Sequence, residues 1–242
     1  MAKTKWYIGC SGFHYSDWKG IFYPENLPKS KWFEYYCEHF NTLELNVTFY
    51  RFPREETLKI WYDKSPTKFR FSVKAPRLIT HFKKFNDSTR LLSDFYNAID
   101  KGLKDKLGCA LFQLPKQMIK SDEKLKQIIK CMDPGFNNVI EFRDTSWWCE
   151  EVYKELKNNS ISFCGISHPH LPNDVIKNSS IFYYRFHGCP VLYKSKYSQY
   201  ILSKLKNTIT GFKGDKKAFI YFNNTMGAAG AVNAKELRTL TV

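Results

Sequence analysis

No two cysteines in this chain are spaced CxxC; the seven present fall singly between Cys10 and Cys189. An odd, scattered set gives neither a disulfide framework nor a zinc knuckle, and fits reduced thiols in a cytoplasmic protein. No apolar run approaches the ~18 residues of a membrane span, and Met1 to Cys10 carries no signal-peptide core. Secreted and integral-membrane classes are therefore disfavoured, and no membrane partner is expected. Acidic residues are also scarce, 23 against 38 Lys and Arg, which leaves a formal charge of +15. No repeat, low-complexity tract or linker marks a boundary, so one domain over residues 1–242 is expected. What the chain does contain is 43% hydrophobic and 17% aromatic residues. That is far too much apolar surface for a disordered basic tail.

Short β-rich runs alternate with helical patterns from end to end, the signature of parallel βαβ units. Eight strands are expected: Trp6 to Cys10, Thr42 to Val47, Phe69 to Lys74, Cys109 to Leu114, Val139 to Arg143, Ile161 to Ser167, Ile181 to His187 and Ala218 to Asn223. Leu125, Ile128, Ile129 and Met132 recur at i, i+3, i+4 and i+7 after a candidate cap at Ser121, which predicts a helix. Trp32, Phe33, Tyr36, Cys37 and Phe40 after Ser30 predict another. The prolines of His168 to Ser180 leave little room for one. Eight β/α steps in this length fit an α/β fold of the TIM-like (β/α)8 parallel barrel type, with a doubly wound open sheet as the alternative.

Within each strand only one face is apolar. Leu43, Leu45 and Val47 oppose Glu44 and Asn46; Phe71 and Val73 oppose Ser72 and Lys74; Ile140 and Phe142 oppose Glu141 and Arg143; Tyr184 and Phe186 oppose Arg185 and His187. In a barrel the apolar face packs on the helices, which sends the polar face inward near the carboxyl ends, where barrel active sites lie. Gln113, Tyr221 and Asn223 hold equivalent late positions. Isolated buried charge is expensive, so this many inward groups either pair with one another or face a ligand. The structural alternative is a set of ion pairs, Glu44 with Lys74 and Glu141 with Arg143 or Arg185. On the functional reading, Glu44, Lys74, Gln113, Glu141, Arg143, His187 and Asn223 converge on one cavity.

Several blocks resemble the YecE-like family, whose domain has no assigned function (domain of unknown function 72). They are Gly9-Cys10-Ser11-Gly12-Phe13, Asp17-Trp18 with Phe22-Tyr23-Pro24, Phe40 to Tyr50, Phe69 to Pro76, Leu111 to Pro115, Glu141-Phe142-Arg143 with Ser146-Trp147, Arg185 to Gly188, and Tyr221-Phe222-Asn223-Asn224 with Gly227, Asn233 and Ala234. The resemblance spans essentially the whole chain and implies a TIM-like barrel. It brings no reaction. The first block carries Phe13 where tryptophan is common in the family.

Two carboxylates with different neighbours suit acid/base work, so Glu44 and Glu141 are candidate catalytic groups together with His187. Lys74, Arg143, Arg185 and His187 are donors suited to phosphate or carboxylate, which points to a small anionic ligand rather than a neutral glycoside. Asn46, His81, Gln113, Tyr221, Asn223, Asn224 and Trp18 complete the expected binding set. No cofactor is expected. A divalent metal, as in phosphodiesterases of the endonuclease IV kind, is the alternative, but Glu44, Glu141 and His187 are few ligands among many cations. His168-Pro169-His170 has the look of a ligand pair yet reads as a solvated loop, and Cys10 and Cys164 read as packing on the outward face. Ser11 to Pro28 is either a cover over a ligand or a loop folded on its own aromatics. Thr80-His81-Phe82-Lys83-Lys84 and Tyr193 to Tyr197 mix base and aromatic, which leaves nucleic acid as a second candidate partner. A ligand-binding protein without turnover is the third reading.

Overall fold

A computed structural model describes residues 3–241. Its elements run β1 (Thr4–Cys10), α1 (Trp32–His39), β2 (Thr42–Leu45), α2 (Val47–Tyr50), α3 (Glu55–Lys64), β3 (Arg70–Lys74), α4 (Thr89–Leu103), β4 (Leu107–Gln113), α5 (Asp122–Cys131), β5 (Asn138–Glu141), α6 (Glu150–Asn158), β6 (Ser162–Ser167), β7 (Ile181–Phe186), α7 (Gln199–Gly211), β8 (Lys216–Phe222) and α8 (Ala229–Thr241). The strand order is β1-β8-β7-β6-β5-β4-β3-β2, and a parallel bridge between Ser11 and Glu44 sets the end of β2 beside that of β1. This is the TIM-like (β/α)8 class expected from the alternation. All eight expected strands form, and residues 168–180 carry no helix.

The chain divides into two compact units, Met1–Glu44 with Gly165–Val242, and Leu45–Cys164. In the first, β8 lies between β1 and β7 in parallel register, with Gly9 opposite Tyr221 and Arg185 opposite the same tyrosine from the other side. A side chain at Gly9 would run into the Thr42 carbonyl and the Tyr36 hydroxyl, so the glycine is what lets β2 approach. The segment Ser11 to Pro28 folds down on its own aromatics. Trp18, Phe22 and Tyr23 are buried, and Tyr23 stacks on Trp32 of α1 at 4.7 Å between ring centres.

In the second unit β4 pairs with β3 and β5, all parallel, and Gln113 stands opposite Glu141. Helix α4 buries Leu92, Phe95, Tyr96, Ile99 and Leu103, one face at helical spacing, and Phe95 and Tyr96 meet Phe112 of β4. Helix α5 begins where the sequence predicts, with the Ser121 hydroxyl accepting the Lys124 amide at 3.2 Å. Lys106 is buried, and its Nζ donates to the Tyr62 and Ser65 carbonyls and to the Ser65 hydroxyl, so this cation is a structural tie at the end of α3.

Two strands stop two residues before their expected carboxyl ends: β5 at Glu141, which leaves Arg143 beyond it, and β2. β2 stops at Leu45, and Asn46 already has helical dihedrals, φ −92 and ψ −17. The cause is Thr48, whose hydroxyl lies 2.8 Å from the Leu45 carbonyl and 2.6 Å from the Lys74 carbonyl and turns the chain into α2. Asn46 is therefore not an inward strand residue, and its buried Oδ1 has no hydrogen-bond partner.

Candidate functional site

In the first unit the inner face gathers around Glu44, which is fully buried. Its Oε1 accepts from the Ser11 hydroxyl at 2.6 Å and from Arg185 Nε and Nη2 at 3.1 and 2.7 Å, and its Oε2 accepts from the Tyr183 hydroxyl at 2.6 Å. Four donors match the roughly four acceptor sites of an ionised carboxylate. Glu44 is thus ion-paired with Arg185, where the sequence had suggested Lys74. A carboxylate filled in this way has little room to take a proton from a substrate, which argues against the expected catalytic role for Glu44.

Above this pair His187, also fully buried, presents Nδ1 to the Asn223 amide at 2.9 Å and Nε2 to Arg185 Nη1 at 3.5 Å. The Asn223 amide nitrogen and the guanidinium are both donors, and a neutral imidazole can accept from one of them. The His168 ring lies 5.9 Å from that of His187, so the loop His168 to His170 reaches the strand end rather than standing away in solvent. Its own internal contact is the His170 amide donating to His168 Nδ1 at 3.2 Å.

Three expected binding residues of this unit are structural. Trp18 is wholly buried and donates from Nε1 to the Thr225 carbonyl at 2.7 Å, so no ring face is left for a ligand. Tyr221 is buried with its hydroxyl 2.6 Å from that of Thr42. Asn224 clamps loop to helix, donating to the Ser195 carbonyl and to Asn233 Oδ1. Tyr197 is likewise held inside, between Ser167 and the Gly188 amide. Burial also pushes the Cys10 thiol well above its ordinary range, as expected for a packing residue.

The second unit brings Lys74, His81, Gln113, Glu141 and Arg143 to the carboxyl ends of β3, β4 and β5. Lys74 Nζ donates to Gln113 Oε1 at 2.6 Å and sits 4.0 Å above the centre of the Phe49 ring, a cation–π contact. The edge of Phe49 meets His81 at 5.0 Å. Arg143, one residue beyond Phe142 and past the end of β5, bonds through Nε to Glu141 Oε1, with the arginine 14% exposed and the glutamate not at all. Burial, then the charges of Lys74, Arg143 and Arg77, push the His81 imidazole down to about 4.

Cys164 corrects the sequence reading. It lies on the inward face of β6, its thiol 3.8 Å from Glu141 Oε2, while Phe163 faces Tyr153 and Trp148. Tyr183 and Phe49 were missed as well. Tyr183 was within reach, since it stands two residues before Arg185 on the same face; Phe49 was not, because strand alternation ends at Leu45. Among the described residues, no group of three or more His, Cys, Asp or Glu is arranged to hold a metal ion.

The family profile described as "Protein of unknown function DUF72" matches residues 7–242. The chain belongs to this DUF72 family. It is 24% identical to the UPF0759 protein YunF of Bacillus subtilis over 97% of this chain and 94% of that protein. It is 26% identical to the UPF0759 protein YecE of Escherichia coli over 55% of this chain and 49% of that one. Among solved structures, a DUF72 family protein of Thermotoga maritima superposes with a TM-score of 0.87 and 28% identity over 98% of both chains. A DUF72 protein of Enterococcus faecalis gives 0.82 at 17% identity over 99% of this chain and 95% of that one. The family and the fold expected from the sequence motifs are therefore established.

Proposed function

We propose that this DUF72 chain binds a small anionic compound, phosphorylated or carboxylate, at the carboxyl ends of the strands of its second unit, and that Glu141 performs acid/base chemistry on it. The reading rests on one observation. Lys74, Arg143 and Arg77 all act on His81, so positive charge gathers at these strand ends around a partly buried imidazole. An anion relieves such a surplus, and lysine and arginine are the donors that grip oxyanions. Glu141 is the better acid/base candidate of the two carboxylates because its arginine, Arg143, is 14% exposed, where the Arg185 that holds Glu44 is 1% exposed. The chemistry needs only the chain's own residues, the glutamate exchanging a proton and the cations holding the anionic group.

Inorganic phosphate tests this directly. Burial, the larger cause of the depression, stays, but an anion among Lys74, Arg143 and Arg77 offsets their charge, so the midpoint of the His81 titration, followed by NMR, should climb above about 4 as phosphate is added. A midpoint that stays in place at high phosphate would remove the anion from this site.

A further inference from the structure

The same unit carries an exposed apolar surface that adjoins the proposed anion site and shares Arg77 with it. Among the described residues, five of the thirteen exposed large apolar side chains fall in 47–52 and 78–82: Val47, Tyr50, Phe52, Leu78 and Phe82. Tyr50 is 67% and Phe82 66% exposed, and they are not a loose scatter. The Arg77 guanidinium lies between them, 5.5 Å from the centre of the Tyr50 ring and 5.4 Å from that of Phe82. Tyr50 in turn meets Phe49 edge-on at 5.1 Å, and Phe49 lies under Lys74. A file of rings and cations, Phe82, Arg77, Tyr50, Phe49 and Lys74, thus runs from the surface to the end of β3.

We infer that this Tyr50–Arg77–Phe82 platform binds single-stranded nucleic acid by stacking bases on its rings and arginine. Exposed aromatic faces held by a guanidinium are what a base plane recognises, and phosphates need cations alongside. Residues 46–54 and 76–84 supply Arg51, Arg54, Lys83 and Lys84 besides Arg77, and no acidic residue. Glu55 and Glu56 follow at the start of α3, so the excess of cation is confined to these two segments. Double-stranded DNA is a poorer fit, because α2 has four residues and the π-helical turn Leu78–Phe82 five, too short to enter a major groove as a recognition helix. The same shortness disfavours a membrane surface, which is bound by long amphipathic helices. The inference goes beyond the small-anion reading and does not depend on it.

The test is fluorescence anisotropy of a short labelled oligothymidylate with the whole protein, across a salt series. Tyr50→Ala and Phe82→Ala are each expected to weaken binding roughly five- to a hundredfold, the loss of one stacked base. Tyr200→Ala, which removes an exposed ring on α7, should leave it unchanged. The response of His81 to phosphate should persist in Tyr50→Ala, which separates this platform from the anion site. The inference fails if the oligonucleotide does not bind at low salt, or if both aromatic variants bind like the parent, since attraction is then only that of net charge. It fails equally if anionic lipid vesicles bind through Tyr50 and Phe82 while the oligonucleotide does not.

Discussion

The two buried glutamates of this protein sit at similar late strand positions and have opposite surroundings. Glu44 meets two hydroxyls and an arginine that is 1% exposed, a closed set in which every donor has its acceptor. Glu141 meets an arginine that is 14% exposed and a thiol, within a unit where Lys74 and Arg77 add further positive charge. A buried charge whose partners are complete is part of the framework; a buried charge beside surplus opposite charge is where a ligand has something to gain. On that criterion the first unit carries a strut, and the second is where the proposed site belongs.

The strut is the place to look for the largest effect. Arg185→Met removes the cation and leaves Glu44 inside with only hydroxyl donors, which should cost about 3–5 kcal/mol. In a chain of this size that lowers the melting midpoint by roughly 10 °C. Pairing it with Glu44→Leu should lose less than the sum of the two single changes, because the second substitution removes the stranded charge. A melt unchanged by Arg185→Met would erase the distinction between the two glutamates.

Glu141→Gln sharpens the comparison from the other side. The amide keeps shape and an acceptor for Arg143, which can also turn to solvent, so stability should stay within about 2 kcal/mol of the parent. Acid/base capacity is gone, and turnover of an anionic substrate should fall by roughly 10²–10⁴. Removing a negative charge from a cationic setting should at the same time tighten inorganic phosphate, as read by calorimetry. Weaker phosphate binding together with a melt as low as that of Arg185→Met would make Glu141 a second strut.

How much of this was legible in the sequence differs from residue to residue. All eight strands were, because period-two alternation of apolar and polar residues is set by the pleat, which local sequence encodes directly. The end of β2 was not: Val47 to Tyr50 is rich in β-branched and aromatic residues and reads as strand, but one hydroxyl, on Thr48, caps the Leu45 carbonyl and bends the chain. Alternation gave the inward face of Glu44 and Arg185 yet not their pairing, since it says nothing about which long side chain reaches across at which height. Cys164 went to the wrong face by one residue of register, the error to which a short strand is most exposed. The burial of Trp18 depends on Thr225, far away in sequence, and no local signal carries that.

His81 gives a pH signature to the second unit. Its folded value of about 4 lies below the ordinary 6.5, so between those values the unfolded chain holds more protons than the folded one. Above 6.5 both states are neutral at this residue and stability is independent of its titration; as pH falls from 6.5 toward 4, stability is lost. With the ring only partly buried, the loss across that window should be about 1–2 kcal/mol. Urea midpoints measured through the window should fall in the parent and flatten in His81→Gln. A parent and variant with parallel curves would place the imidazole outside the reach of Lys74 and Arg143.

The finest discrimination comes from the two small donors, one on each glutamate. Ser11 gives Glu44 a buried charge-assisted hydrogen bond at 2.6 Å, whereas Cys164 gives Glu141 a thiol at 3.8 Å. Ser11→Ala should therefore cost about 2 kcal/mol, in the range of hydrogen bonds to charged groups. Cys164→Ala loses a weak donor and a small apolar volume, for about 1 kcal/mol. Chemical denaturation resolves a gap of this size when the slopes agree. If Cys164→Ala costs as much as Ser11→Ala, the thiol is a full partner of Glu141, its Oε2 is as firmly occupied as the oxygens of Glu44, and the case for Glu141 as the proton-exchanging group falls with it.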